Sequence, residues 1–248
     1  MMRALLLPML LMHLIAGPAS AEPTPLVVRV ISQGAKFVGT GMDGVHITVR
    51  DAGSGKTLAQ GLALGGTGDT ARIMNGRPRG TPIADDSAAA FRATLDVTEP
   101  TLVDVQVHGP VQPAGAAVAA SAQHWLIPGA AVLGDGWVIE LPGLAVSASA
   151  SASKSAANNR RRVTAHVSMM CGCPITPGGM WDAARFKVEA WVVGAAVGSA
   201  GMGNRRVPLA YAGTTGDFAG DLPSGAAVIV AQDSLTGATG TARIAVPD

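Results

Sequence analysis

The sequence predicts an all-β protein, two antiparallel β-sandwich modules that follow a cleaved leader. Three observations predict it: apolar and polar residues alternate with period two in both halves, no sustained 3.6-residue apolar stripe appears in either, and the short apolar runs are separated by Gly, Pro, Asp and Ser. A chain of 248 residues is long enough for one large or two small domains. Gly and Pro together make up about a fifth of it, below the range that marks low-complexity disorder, so it is expected to fold. Its 18 Lys and Arg stand against 17 Asp and Glu without long basic runs. Phosphate binding needs clustered cations that release counterions, and this balance excludes a nucleic-acid footprint.

Residues 1–21 read as a signal peptide. Arg3 supplies the positive start, Leu5 to Ile15 are mostly apolar, and Ala19-Ser20-Ala21 has the small-x-small pattern of a cleavage site. Glu22 is then the first mature residue. The apolar run of about 11 residues is too short for the roughly 20 that span a bilayer as a helix, and no later stretch qualifies. No Cys follows the cleavage site to carry a lipid anchor. The expectation is a periplasmic or secreted protein with no transmembrane segment in the mature chain. Loss of the leader removes only Arg3 among the charges, which leaves the two signs balanced and net charge unable to steer a partner.

The elements follow in chain order. Leu26 to Ile31 is apolar apart from Arg29 and reads as a central strand. Val45, Ile47 and Val49 alternate with His46, Thr48 and Arg50; Val103, Val105 and Val107 alternate with Asp104, Gln106 and His108. Each reads as a half-buried strand. A short helical turn is expected near Asp86 to Phe91. Two strand candidates, around Trp125 and Val138, lie between the modules and fit either one. Val146 to Ser153 alternates Ser with Ala and reads as a lightly packed edge strand, joined by the basic loop Asn158 to Arg162 to a strand that begins at Val163. Phe186, Val188 and Ala190 alternate with Arg185, Lys187, Glu189 and Trp191, and Ala226 to Ala231 is a second central run. Two hairpins share one pattern, Asp51 to Thr57 and Asp233 to Thr239, in which the Asp bonds backbone amides ahead and Gly55 or Gly237 takes a positive φ. The domain reading is 1–21 signal peptide, 22–113 first module, 114–143 connecting segment with short strands, and 144–248 second module.

Gly44-Val-His-Ile-Thr-Val-Arg-Asp51 with Ser54-Gly55-Lys-Thr-Leu58-Ala59 resembles the carboxypeptidase-regulatory and bacterial immunoglobulin-like β-sandwich modules of exported proteins. The resemblance covers one hairpin per module. It implies a small immunoglobulin-like sandwich used for binding, assembly or spacing, and it assigns no site residues.

Two glycine motifs read as turns. Gly53-Ser54-Gly55-Lys56-Thr57 lacks the first Gly of a phosphate-binding loop, where Arg50 stands, and Gly201-Met202-Gly203 lacks the third Gly of a dinucleotide fingerprint, where Arg206 stands. No Gly-x-Ser-x-Gly, His-Glu-x-x-His or EF-hand spacing occurs in the sequence.

His166-Val-Ser-Met169-Met170-Cys171-Gly172-Cys173-Pro174 concentrates both cysteines, two methionines and a histidine. Thiolate and thioether sulfurs suit Cu(I), with Zn(II) next. In an unbent strand Met169, Cys171 and Cys173 share the apolar phase with Val163, Ala165 and Val167, while His166 and Met170 share the other. As ligands, Cys171 and Cys173 therefore rank first, Met169 second, and His166 and Met170 last. The competing reading is a Cys171–Cys173 disulfide. Extended residues two apart sit about 6.5 Å apart, near the long limit for a bridge, so Gly172 must fold or the bridge is strained and exchangeable. Soft-metal binding, a structural disulfide, thiol exchange and an inert buried pair all remain open.

Other residues carry less. His46 and His108 read as solvated, although pairing of their strands would make a surface metal or pH site. His124 beside Trp125 reads as a packed linker with a satisfied imidazole, or as a group that reaches the sulfur motif. Trp137, Trp181 and Trp191 fit either a sugar-stacking platform or inter-module packing. Arg160-Arg161-Arg162 reads as a solvated loop or as a clamp for one anionic group. These features point to an exported, non-enzymatic binding or accessory protein with a Met-Met-Cys-Gly-Cys site and a periplasmic or cell-surface protein partner. The alternatives are a periplasmic Cu(I)-handling or thiol-exchange protein, and a structural surface module with a carbohydrate-binding face.

Overall fold

The computed structural model describes residues 20–75, 78–154, 160–196 and 202–247, so the leader to Ala19 and the loop around Asn158 lie outside the described residues. What is described is all-β. The first half contributes β1 (Glu22–Ser32), β2 (Val45–Asp51), β3 (Thr57–Ala63), β4 (Phe91–Val97), β5 (Thr101–Gly109), β6 (Val118–Leu126) and β7 (Val132–Leu141). The second contributes β8 (Leu144–Lys154), β9 (Arg161–Met169), β10 (Phe186–Ala196), β11 (Met202–Pro208), β12 (Ala210–Tyr211), β13 (Asp217–Leu222), β14 (Gly225–Asp233) and β15 (Thr239–Val246). They form four sheets, in the orders β4-β1-β7, β3-β2-β5-β6, β12-β13-β9-β8 and β11-β10-β14-β15. Among the described residues no helix is long and apolar enough to cross a membrane.

Alternation places the cores. Val28 and Val30 of β1, Ile47 and Val49 of β2, and Val105 and Val107 of β5 are buried in one cluster between the first two sheets. Val163, Ala165 and Val167 of β9 meet Val188 and Ala190 of β10 and Ile229 of β14 in another. The two apolar runs do sit centrally, β1 between β4 and β7 and β14 between β10 and β15; in β1 both phases are largely buried, Arg29 included, whereas in β14 Val228 and Val230 are half-buried opposite the core.

Three expectations change. Segment 114–143 holds the two strands expected around Trp125 and Val138, and both join sheets of the first half: β6 pairs with β5, and β7 pairs with β1. The β1–β7 pair is parallel, an exception to the antiparallel rule. It arises because 127–131 carries the chain from one sheet to the other, where a hairpin would have kept it in the same one. Asp86 to Phe91 holds no helix. Ala88 and Ala89 are buried with Phe37 over the outer face of β1, and their carbonyls accept from the buried Arg29 guanidinium. The one α-helix of the described residues, α1 (Thr70–Met74), lies earlier, capped by Asp69, whose carboxylate accepts from Arg72 N at 2.6 Å. Met202 and Gly203 belong to edge strand β11 and not to a turn. As read, β8 is an edge strand, and it pairs with β9.

The twin turns form as their pattern requires, but in different surroundings. The Asp51 carboxylate accepts from Ser54 N and Ser54 Oγ at 2.6 and 2.8 Å on the surface. Asp233 is fully buried and accepts from Leu235 N, Thr236 Oγ and the Arg185 guanidinium, the last at 2.5 Å. Burial pushes its carboxyl up, and these donors outweigh that and hold it below the ordinary carboxylate range. Its contribution is therefore present above that range and lost as pH falls through the lowered pKa. Asp233→Ala should cost about 3 kcal/mol, because it strands a partly buried guanidinium and two turn donors. Asp51→Ala should cost clearly less, and urea melts of the two variants check the difference.

Candidate functional site at the Cys171–Cys173 turn

The sulfur-rich segment is the turn that ends β9. Gly172 N donates to Met169 O at 2.8 Å and Met169 N to Cys173 O at 3.3 Å. Gly172 takes φ +72°, and a Cβ there would lie 2.8 Å from Met42 Sδ. The positive φ favours glycine here, and any larger residue would also have to displace the Met42 side chain of the first half. The fold draws the two Cys Cα atoms to 5.3 Å, and Cys171 and Cys173 are joined as a disulfide with S–S 2.11 Å.

The turn sends its side chains in opposite directions. Met169, Cys171 and Cys173 are buried with Ile175 in the second-half core, whereas Met170 is buried with Leu141 and Ala145 in the first-half core. Around it the halves interlock further. Ala35 packs into the second-half cluster, and Trp181 Nε1 donates to Gly34 O at 3.1 Å. A groove of about 270 Å³ opens beside the turn, lined by Met42, Pro113, Ser147, Ser168, His166 and Gly172 among others.

Of the five ranked ligand candidates, Met169, Cys171 and Cys173 come together on one side. Met170 does not join them, and neither does His166, which lies on the exposed phase of β9 with Nδ1 2.8 Å from Asp217 Oδ1. With the sulfurs bonded to each other there is no thiolate for Cu(I), so a two-sulfur chelate requires prior reduction of the pair. An attacking thiolate must reach sulfurs on residues only 3% and 4% exposed. The thioether closest to Gly172 is that of Met42, some 130 residues away in sequence; no local spacing could have pointed to it.

The remaining candidates are placed as follows. Trp181 is buried at the junction, Trp137 stacks on His124 at 4.4 Å with 7° between the rings, and Trp191 lies under the Arg206 guanidinium at 4.4 Å. Their faces are occupied, so they do not form an open platform. Trp125 is the exposed one, at 62%, because β6 turns His124 inward and its neighbours outward. It borders a groove of about 420 Å³ with Glu99, Gln123 and Asp51. The arginine trio is divided by β9: Arg161 is buried and donates Nε to Pro247 O at 2.8 Å, while Arg162 faces out toward Asp221 at 3.6 Å. Arg160 reaches Asp221 O, and the three do not face one anion. His46 and His108 stand opposite each other on paired strands. No group of three or more His, Cys, Asp or Glu among the described residues is arranged to hold a metal.

Comparisons with protein-family models, with curated proteins and with solved structures return no match.

His124 corrects the expectation of a satisfied imidazole, since its Nε2 is buried without a hydrogen-bond partner among the described residues. Burial pushes its pKa down. A lowered histidine pKa means that the unfolded chain binds the proton first, so its contribution to stability is lost as pH falls below about 6.5. His124→Phe keeps the stack on Trp137 and removes the titration. The variant should show a flatter fall in melting temperature between pH 7 and 5, measured by circular dichroism.

Proposed function

We propose that the chain is an exported, non-enzymatic binding or accessory protein in which two immunoglobulin-like β-sandwich modules are locked at a disulfide-closed junction. The carrying observation is that the consecutive residues Met169 and Met170 are buried in different cores. The chain passes between the halves at 142–143, and this turn, well beyond that link in sequence, adds packing between the two clusters. A rigid double module suits a protein that presents two surfaces at a set spacing to a periplasmic or cell-surface partner. The leader-like residues 1–21 and the disulfide support an oxidising compartment, and β1 begins at Glu22.

The test is the Cys171→Ser, Cys173→Ser double variant beside the parent protein purified without reductant or chelator. The parent should show no free thiol and no Cu(I). So short a loop contributes only about 1.5 kcal/mol through chain entropy, and two hydroxyls left in an apolar cluster bring the expected loss to about 3 kcal/mol. Small-angle scattering of the variant should broaden relative to the parent at unchanged strand content. Two free thiols with one copper per chain would instead establish the Cu(I)-handling alternative, and N-terminal sequencing of secreted material that does not begin at Glu22 would remove the export reading.

A second reading is favoured by Trp125, whose exposed ring sits beside Gln123, itself held by Asp104 through a 2.7 Å hydrogen bond. An aromatic face flanked by fixed polar groups is the arrangement a sugar ring needs. If the carbohydrate-binding alternative holds, Trp125→Ala should weaken glycan binding at least tenfold with no change in melting temperature, as read by glycan-array titration. No glycan binding by the parent removes it.

A further inference from the structure

We propose that His46 and His108 form a two-histidine chelate for a borderline divalent cation, Cu²⁺ or Zn²⁺, on the outer face of the sheet β3-β2-β5-β6. This site is independent of the junction and of the function proposed above. Three observations converge on it. The antiparallel register sets His46 of β2 directly opposite His108 of β5. Both residues are exposed, on the phase opposite to the buried Ile47 and Val107. Neither imidazole has a hydrogen-bond or ion-pair partner among the described residues, unlike His166, which Asp217 engages, and His124, which is buried against Trp137.

The chemistry follows from that placement. Cross-strand neighbours carry Cβ atoms about 4.5–5.5 Å apart. Two imidazole nitrogens that bind one ion at about 2.0–2.1 Å lie roughly 3 Å from each other, and rotation about two side-chain bonds per ring spans the difference. The adjoining rung positions are neutral: Leu62 beside His46 on β3, Ala119 beside His108 on β6, and Thr48 and Gln106 one rung along. No cation there repels a metal, and no carboxylate there adds an oxygen ligand that would favour Mg²⁺ or Ca²⁺. Imidazole donors alone select Cu²⁺ over Zn²⁺. With two protein ligands the ion keeps open positions, filled by water or by a donor of a bound molecule.

The experiment is equilibrium dialysis of untagged protein against CuCl₂, ZnCl₂ and MgCl₂, with His46→Ala, His108→Ala, His166→Ala and Cys171→Ser/Cys173→Ser variants. The expected result is one Cu²⁺ or Zn²⁺ per chain, no Mg²⁺, and at least a tenfold loss of affinity in each of the His46 and His108 variants. The His166 and double-cysteine variants should bind as the parent does. Substoichiometric Cu²⁺ should broaden the NMR signals of His46 and His108 together, a readout that needs no variant. Absence of Cu²⁺ and Zn²⁺ binding, loss in only one of the two His variants, or loss in the cysteine variant would overturn the assignment.

Discussion

The structure depends on one step of strand pleat. Along β9 successive side chains alternate, and the alternation runs on past the last paired residue so that Met169 enters one core and Met170 the other. Two hydrophobic clusters are thereby joined by packing, beside the contacts that Ala35 and Ala145 make across the same junction. Once that is set, the neighbouring features follow. Cys171 and Cys173 fall on the Met169 side and can meet only if Gly172 turns. Gly172 in turn presents a bare backbone to the Met42 side chain of the first half, which a Cβ would displace. Trp181 and Ala35 close the same junction from the other side.

Buried polar groups show how much the rest of the chain was adapted to its surroundings. Arg29 points outward from β1, yet it is only 3% exposed because the chain around Ala88 and Ala89 covers that face. Burial lowers its pKa, and the carbonyls of those two alanines supply the compensating acceptors, with the ring of Phe37 at 5.7 Å. The same covering segment explains why an alanine-rich stretch is not helical: its small side chains allow a close approach over β1, and tertiary packing overrides helix propensity. Asp233 is the corresponding case in the second half, a turn residue whose burial is tolerated only because Arg185 and two turn donors converge on it.

Strands with one buried and one open face were legible, since β2, β5 and β9 each separate apolar from polar residues in strict alternation. The loss of legibility has a physical pattern. β6 reads Val-Ala-Ala-Ser-Ala, where residues of similar size give little contrast between faces, and β7 is interrupted by Gly134 and Gly136 at a shift in its register with β1. The tryptophans left two readings open for a related reason. Their type says that a large face needs covering; it does not say whether Arg206, His124 or solvent covers it. At the sulfur site the phase of Met169, Cys171 and Cys173 was readable from spacing alone, but the opposite burial of Met170 required a second core that no local pattern describes.

The two candidate sites differ in what makes them visible. Composition draws attention to the sulfur cluster, yet its two cysteine sulfurs are bonded to each other and enclosed within one core. The histidines are 62 positions apart in sequence, and each alone is an ordinary polar residue on a strand. Only the antiparallel register turns them into a pair, because in a sheet the distance between side chains is set by hydrogen bonding across strands and not by separation along the chain. Accessible chemistry in this all-β chain is therefore sought where register aligns like residues on an open face.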